Sequence, residues 1–533
     1  MALRKLLFKS GVNRENTRYT NEGGWYVSDK VRFRQGTPEK IGGWVRYSAN
    51  QFNGVCRNLW NWVTNGNSNL LGVGTNTKYY IEDVGAYNDI TPVGLPAGAA
   101  ITTSGTGWGT STWSTGTWGF SSGSSTINLR LWSSSNWGED LVINPRGGAV
   151  YYWDATSGLS SPAVNITSLA GSSNAPTLAN YIFVSDISRF LFAFGCDDSA
   201  GGIGFLDPML VRWADQESLT MWLPAITNQS GSLRLSHGSE IVTSVQTRQE
   251  IFTLTDSAAY SIQFVGAPYV WGAQLLGDNI SIMSPNAAAF ASGVVYWMGI
   301  DKFYVYDGRV QTLPCDLRRY VFSDINLIQS LQVFAGTNEG FNEVWWFYCS
   351  ADSTTVDRYV VYNYLERVWY YGTMARTAWS DSGLRDYPQS ADYNGRILNQ
   401  EFGVDDGAGD TVAAIDAYIE SAEFDLDDGD HFMYVYRTVP DLTFTGSTDD
   451  SAPEVTFSIY PKRSSGSPAG TPAADTVSAA DYPVDEFTSQ IYTRFRARQA
   501  YLKVRSNKVG TTWQLGAPRI DMKPDGRATG GGA

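Results

Sequence analysis

The run Val344-Trp345-Trp346-Phe347 decides the fold, together with Tyr359-Val360-Val361-Tyr362 and Val368-Trp369-Tyr370-Tyr371, which follow it after polar turns. Each run consists of β-branched and aromatic residues, and short runs of this kind between turn residues are typical of β strands. Three in close succession predict an antiparallel meander, because antiparallel strands can be joined by short turns.

The same strand–turn–strand pattern occurs repeatedly upstream. Its copies are Leu70–Val73 with Tyr79–Ile81, Leu141–Ile143 with Tyr151–Trp153, Tyr181–Val184 with Phe190–Phe192, Ile251–Leu254 with Tyr260–Ile262, and Val295–Met298 with Phe303–Tyr306. Successive copies begin about forty to seventy residues apart, which is the spacing of propeller blades that carry insertions. The sequence therefore predicts an all-β protein with a six-bladed β-propeller-like domain over residues 46–400.

A second β domain, sandwich-like and acting as a platform, is expected over residues 401–528. Its predicted strands include Val455–Tyr460 and the segment Tyr492–Val504, in which Arg494, Arg496 and Arg498 alternate with Phe495 and Ala497. Helical periodicity is scarce, and Asp316–Asn326 is the best candidate for a helix. The tail 529–533 is expected to be disordered.

Residues 1–45 form a basic arm with the first strands. The arm carries arginines that are candidates for subunit contacts, namely Arg14, Arg18, Arg32 and Arg34. Val31–Arg34 alternates like an edge strand before the turn at Gly36-Thr37-Pro38. Two interpretations stay open: an arm that reaches an acidic neighbouring subunit, or a first strand with a solvated polar face.

The chain as a whole is acidic, with a formal net charge of −14. Such a chain is a poor candidate for holding DNA through its phosphates, but its charge suits a surface that must not hold DNA. Four cysteines without paired spacing indicate free thiols in a reducing compartment. The sequence shows no signal peptide and no apolar run of about twenty residues that could span a membrane.

Two segments of biased composition are candidates for function. Thr102–Ser125 is built almost wholly from Gly, Ser, Thr and Trp, and its Trp108, Trp113 and Trp118 are expected to pack against another chain or blade. The acidic run from Gly403 to His431 includes Asp405, Asp406, Asp425, Asp427 and Asp428. Asp425–Asp430 superficially resembles a calcium loop, but Tyr436 stands where the loop's bidentate glutamate would be, so a solvated acidic turn is the main interpretation.

The sequence contains no recognisable catalytic machinery. Neither a zinc-protease motif, nor a lipase nucleophile elbow, nor a phosphate-binding P-loop is present, and the two histidines lie far apart. Sialidases carry a repeated Asp-containing turn, and Ser114–Trp118 matches only its end. We therefore expect no catalytic, cofactor-binding or metal-binding residues, and no cofactor.

Several segments resemble the tail nozzle family of short-tailed bacteriophages, also called tail tubular protein B or packaged-DNA stabilisation protein. The similar segments are Phe8–Glu15, Asn21–Tyr26, Lys30–Gly36, Pro38–Trp44, Asn136–Leu141, Asn144–Gly148 and Trp513–Asp521. They occur at both ends of the chain and in its interior, so the resemblance spans nearly its whole length.

The resemblance implies a structural virion protein, assembled in the host cytoplasm and located in the tail. It implies a homohexamer below the tail adaptor protein that lines the distal DNA channel, retains packaged DNA and allows its ejection. The resemblance makes the acidic run a source of candidate channel-lining residues, namely Asp405, Asp406, Asp425, Asp427 and Asp428. Partners would be the adaptor, tail fibres or spikes, and double-stranded DNA that passes without specific binding. The alternative is a propeller glycosidase or depolymerase, or a carbohydrate-binding receptor protein, of a phage; it would show paired carboxylates and an aromatic platform in one pocket.

Overall fold

Beta strands dominate the structure, a computed structural model that describes residues 3–103, 128–198, 204–426, 428–448, 453–463 and 480–527. The chain begins with five short strands, β1 (Leu3–Lys5), β2 (Trp25–Asp29), β3 (Val31–Arg34), β4 (Thr37–Lys40) and β5 (Trp44–Arg46). Gln35 and Gly36 both adopt positive φ, 50° and 80°, which closes the tight β3–β4 hairpin.

Four blades of four antiparallel strands follow. The first is β6 (Cys56–Val63), β7 (Asn69–Thr75), β8 (Tyr79–Asp83) and β9 (Ala86–Asp89), and the second is β10 (Trp132–Trp137), β11 (Asp140–Pro145), β12 (Tyr151–Trp153) and β13 (Val164–Asn165). The third is β14 (Ala179–Val184), β15 (Leu191–Asp197), β16 (Leu206–Trp213) and β17 (Gly231–Arg234), and the fourth is β18 (Ile241–Gln246), β19 (Ile251–Thr255), β20 (Ala258–Gly266) and β21 (Val270–Asp278).

Three more blades complete the propeller. The fifth is β22 (Ala288–Ala291), β23 (Val294–Met298), β24 (Phe303–Tyr306) and β25 (Val310–Leu313), and the sixth is β26 (Phe334–Asn338), β27 (Glu343–Tyr348), β28 (Arg358–Asn363) and β29 (Val368–Thr373). The seventh combines β30 (Ala378–Ser380), β31 (Gln389–Ala391), β32 (Ile397–Gln400) and β33 (Asp406–Gly407) with the N-terminal strand β5. The α-helix α1 (Arg318–Asp324) and short 3-10 helices at Ala155–Ser157, Ile166–Ser168, Leu327–Gln332 and Glu339–Phe341 lie in the connections.

The first strands of the blades close a circle. Each one, from β6 through β10, β14, β18, β22 and β26 to β30, contacts the next, and β30 contacts β6. Strand β5 pairs with β32 and β33, so the N-terminal segment fastens the last blade. The all-β propeller class and every copy of the strand pattern are confirmed, but the described chain holds seven blades instead of the six that the copies suggest.

The missed blade has a physical explanation. Its strands Ala378–Ser380 and Gln389–Ala391 lack the β-branched and aromatic runs that mark the other blades, and one of its strands comes from the far end of the sequence. Local pattern alone therefore could not reveal it.

The platform contains strands from both ends of the chain. Its C-terminal strands are β34 (Ala417–Ser421), β35 (Phe424–Asp425), β36 (His431–Val439), β37 (Leu442–Thr443), β38 (Glu454–Lys462), β39 (Ala480–Asp485), β40 (Phe495–Ala497), β41 (Gln499–Ser506), β42 (Gln514–Leu515) and β43 (Arg519–Arg527). They form three sheets, ordered β1-β43-β36-β40, β2-β34-β41-β38-β39 with β35 on β41, and β3-β4-β42-β37.

Each platform sheet includes at least one strand from the N-terminal segment. The segment 1–45, expected to form an arm, therefore pairs with strands of its own chain. Strand β3 lies at a sheet edge, as its alternation predicts, and packs on β29 of the sixth blade. One apolar cluster runs without interruption from the platform into the later blades; Trp25, Trp345 and Trp513 are buried members of it. Burial of so much aromatic surface joins the platform firmly to the propeller.

Candidate docking face

The sheet β1-β43-β36-β40 buries one side and leaves the other open to solvent. Met433, Val435 and Phe495 point into the core, whereas the residues between them point outward because side chains alternate along a strand. On the open side Tyr434 lies directly across from Arg496 on one neighbouring strand and from Lys523 on the other. We call this side the basic face; it comprises Lys5, Phe432, Tyr434, Tyr436, Tyr492, Arg494, Arg496, Arg519 and Lys523.

Cations stack on aromatic rings across the basic face. The Arg496 guanidinium carbon lies 4.3 Å from the centre of the Phe432 ring, and that of Arg494 lies 5.2 Å from the ring of Tyr436. Lys523 Nζ stands 5.4 Å from the ring of Tyr434. Stacking holds these side chains extended, so part of the entropy cost of ordering them in an interface has already been met.

The basic face carries more cations than it has carboxylates to neutralise them. Arg496 pairs with Asp525 at 2.8 Å. By contrast, the described residues provide no carboxylate partner for Arg494, Arg519, Lys523 or Lys5. In a chain of net charge −14 this face is a local excess of positive charge.

An acidic counterpart lies at the edge of the neighbouring sheet. Glu454 on β38 stands directly opposite Asp485 on the edge strand β39, and Glu486 follows at once. Like charges opposite one another in a sheet are unfavourable unless a cation lies nearby. No basic partner for Glu454, Asp485 or Glu486 occurs within the described ranges. We call these three residues the acidic edge.

Three of the N-terminal arginines form ion pairs or hydrogen bonds within their own chain. The Arg32 side chain is 1% exposed and forms ion pairs with Glu343 and Glu401, so its assignment to a subunit contact is wrong. Strand β3 packs against the sixth blade, which supplies the fully buried Glu343, and the partly buried Glu401 follows β32 of the seventh blade. Half-buried Arg14 donates to the Tyr371 hydroxyl at 2.8 Å. The Arg18 guanidinium pairs with Glu420 at 2.8 Å and stacks 3.6 Å from the Tyr501 ring centre.

Arg34, Arg494 and Arg496 keep the exposure that a contact with another molecule requires. The Arg34 side chain is 62% exposed and lies 3.9 Å from Glu39. In the segment around β40, Arg494 and Arg496 are exposed and Phe495 and Ala497 buried, as the alternation predicts. Arg498 is half-buried, and its Nε donates to the Gly429 carbonyl at 2.6 Å.

The candidate channel-lining acids lie in short strands and in turns: Asp406 belongs to β33 and Asp425 to β35, whereas Asp405 and Asp428 lie in a bend and a turn. Asp405 accepts from the Gly510 backbone N–H at 2.9 Å, and Asp406 accepts from the Trp44 indole at 2.7 Å. Asp425 accepts from the Tyr19 hydroxyl at 2.7 Å. Asp428 is exposed to solvent. Asp427, Trp108, Trp113, Trp118 and the tail 529–533 lie outside the described residues. The assignment of Asp427 to a channel wall, the packing of the three tryptophans against another chain or blade, and the disorder of the tail stay predictions.

A cleft between two blades brings one aromatic residue and two carboxylates to the same cavity. A cavity of about 470 Å³ opens between the second and third blades, and Trp137, Asp186 and Glu217 line it together. The sequence did not reveal this cleft, because its residues come from three separate turns.

Across the described parts of the chain, no three His, Cys, Asp or Glu side chains stand close enough together to hold a metal ion. Within the same residues, no helix has the length and apolar character needed to cross a membrane.

Comparisons with known proteins give only distant structural likenesses. No protein-family model and no curated protein matches the sequence. Among solved structures, the chain is similar to the N-terminal domain of Nup159, with a TM-score of 0.36 and 9% identity over 70% of this chain and 99% of that one. It is also similar to Kluyvelomyces marxianus Hsv2, with a TM-score of 0.29 and 7% identity over 51% of this chain and 72% of that one.

A third likeness is to an exo-β-1,3-galactanase from Phanerochaete chrysosporium, with a TM-score of 0.28 and 9% identity over 91% of this chain and all of that one. Likenesses at this level say nothing about function. The assignment as a β-propeller protein with a platform rests on the strand order and on the closed circle of blades.

Proposed function

We propose that this chain is a structural subunit that docks onto copies of itself through its platform, and that the resulting particle is the tail nozzle of a short-tailed bacteriophage. In this function six copies surround one axis below the adaptor protein, retain packaged DNA and allow its ejection. The proposal assigns no catalytic step to the chain. The motifs shared with the nozzle family support the place in the virion.

The basic face is the observation that carries the docking part of the proposal. Tyr and Arg are enriched among the residues that dominate binding energy at protein interfaces, and here they alternate on one open sheet. Because Arg494 is already stacked on a ring and has no carboxylate partner among the described residues, its N–H groups can bind a carboxylate of another copy at a reduced entropy cost.

The acidic edge supports a second copy as the occupant. Its three carboxylates lack cations, and Arg494, Arg519, Lys523 and Lys5 of the basic face lack anions among the described residues, so the two surfaces are complementary in charge. A contact between two different surfaces of identical chains is heterologous, and it generates either a closed ring or an open filament. A ring also agrees with passage of DNA, because pairing the basic face removes an attractive surface for phosphates and leaves the acidic remainder of the chain.

The experiment is negative-stain electron microscopy of the purified full-length chain in 50 mM salt, with and without the adaptor protein. The expected images show closed rings with an axial opening. Images of isolated tails that place this protein in a peripheral spike, away from the tail axis, would overturn the nozzle assignment.

A further inference from the structure

The cleft between the second and third blades lies where first-strand hairpins turn. Strand β10 ends at Trp137, and the β14–β15 turn supplies Ser185, Asp186 and Arg189. Glu217 comes from the loop after β16. The volume of about 470 Å³ falls within the usual range for small-ligand sites.

Asp186 supplies the cleft carboxylate that has no protein partner among the described residues. No hydrogen bond or ion pair satisfies its carboxylate within the described part of the chain. The surrounding protein raises the pKa of Asp186, because the partial burial disfavours the charged form. The Asp186 side chain is exposed in the cleft, so its carboxylate oxygens can accept hydrogen bonds from the hydroxyl groups of a ligand.

The opposite rim of the cleft is held by an ion pair and backbone bonds. Arg189 Nη1 lies 2.7 Å from Glu217 Oε1, and the Glu217 N–H donates to the Arg189 carbonyl at 2.9 Å. Both residues have a φ of 55°, a left-handed conformation that is strained for a non-glycine residue. Two such residues bonded to each other at one cavity indicate a rim that is fixed before any ligand arrives.

Trp137 supplies the apolar part of the cleft. Its ring packs partly on the core between the blades and is partly exposed. Its indole N–H forms no hydrogen bond within the described residues and is not buried. An indole ring with one exposed polar edge suits a ligand that has both an apolar face and hydroxyl groups.

The set of groups limits the chemistry of the ligand. A simple anion would be repelled by Asp186 and Glu217, and a simple cation would be opposed by Arg189. A purely apolar molecule would leave the Asp186 carboxylate unsatisfied. A neutral sugar avoids all three penalties, because its hydroxyl groups donate to carboxylates and accept from a guanidinium while its C–H face covers an aromatic ring.

We propose that this cleft binds a neutral saccharide, with Trp137 beneath a sugar ring and Asp186 accepting from its hydroxyl groups. The Arg189–Glu217 pair borders the ring on the other side. The site belongs to a single propeller and is independent of the assembly proposed above, so either proposal can fail without the other.

The test uses the full-length chain on a printed array of neutral di- to pentasaccharides built from glucose, galactose, mannose and rhamnose. Titration calorimetry then measures the affinity for the best ligand. Asp186→Asn and Trp137→Ala are each expected to weaken binding at least tenfold. Asp186→Asn breaks no protein contact and should melt like the wild type, so a loss of binding in this variant cannot be ascribed to unfolding.

Glu139→Gln is the matched control. It removes a carboxylate from the same hairpin as Trp137 but does not line the cavity, so its affinity should equal that of the wild type. Three results would overturn the proposal: no array sugar bound at 1 mM, binding that survives both cleft substitutions, or a preference for acidic sugars.

Discussion

Replacement of Arg32 by methionine should destabilise the protein strongly, because it leaves buried carboxylates without their cation. The Arg32 Nε lies 2.8 Å from Glu343 Oε1 and its Nη2 lies 3.2 Å from Glu343 Oε2. The Nη1 also donates to Glu401 at 2.9 Å. The side chains of Arg32 and Glu343 are 1% and 0% exposed, so water cannot take over the lost bonds.

The expected loss follows from this burial. Breaking a buried ion pair by removing one partner costs about 3–5 kcal/mol. Glu343 keeps hydrogen bonds from Tyr370 and from the Trp345 indole, the latter at 2.9 Å, which stabilise its charge in part. We therefore expect a decrease of about 4 kcal/mol in the free energy of unfolding, measured by urea denaturation at pH 8.

Arg34→Met is the matched control, since Arg34 lies on the same strand but is largely exposed and should cost about 0.5 kcal/mol or less. Burial already raises the pKa of Glu343, so the orphaned carboxyl should take up a proton on acidification. The loss caused by Arg32→Met should then be smaller at pH 5 than at pH 8. Equal losses for the two arginine variants, or a loss that does not change with pH, would refute the reasoning.

Three further predictions concern a buried lysine, the thiols and DNA. Burial lowers the pKa of Lys40 from 10.5 to about 8. The buried charge therefore lowers the free energy of unfolding by about 3 kcal/mol below pH 8, and this loss is regained as the pH rises toward 10.5. Lys40→Met should lack this gain, so its free energy of unfolding relative to that of the wild type should fall between pH 7 and pH 10. A difference that stays constant in urea titrations across this pH range would contradict the prediction. Burial raises the pKa values of Cys56, Cys196 and Cys349 to about 12, so these thiols should react with a disulfide reagent at pH 8 only in denaturant; fast reaction of the native protein would show that they are accessible. Assembled protein should bind a 30-base-pair duplex weakly in fluorescence anisotropy at 50 mM salt, with a Kd above about 10 μM, whereas submicromolar affinity with a steep salt dependence would mean a basic channel.

The sequence predicts those parts of the fold that local pattern encodes. Val344–Phe347, Tyr359–Tyr362 and Val368–Tyr371 form three paired strands, and the candidate helix at Asp316–Asn326 contains α1. In these segments neighbouring residues alone favour the observed structure.

Long-range contacts decide the parts that the sequence could not predict. Arg32 meets Glu343 across 311 positions, so nothing near Arg32 indicates that its charge is buried. For the same reason, the strand that fastens the seventh blade cannot be found from its own neighbours. The alternation of Arg494 and Arg496 with buried residues predicts that these two arginines are exposed. Their neighbours Phe432, Tyr434 and Tyr436 could not be predicted, because the pairing of β36 with β40 is a long-range contact.

Sedimentation velocity of the wild type and of the double variant Arg494→Glu/Lys523→Glu, at 50 mM and 500 mM salt, tests the central claim most directly. The account predicts that the wild type assembles at 50 mM salt and dissociates at 500 mM, because charge pairs at the contact are screened. The double variant should remain monomeric at both concentrations, while Arg309→Glu, a basic residue of the fifth blade's last turn, should assemble like the wild type. A wild type that is monomeric at low salt, or a double variant that assembles as the wild type does, would contradict docking through the basic face.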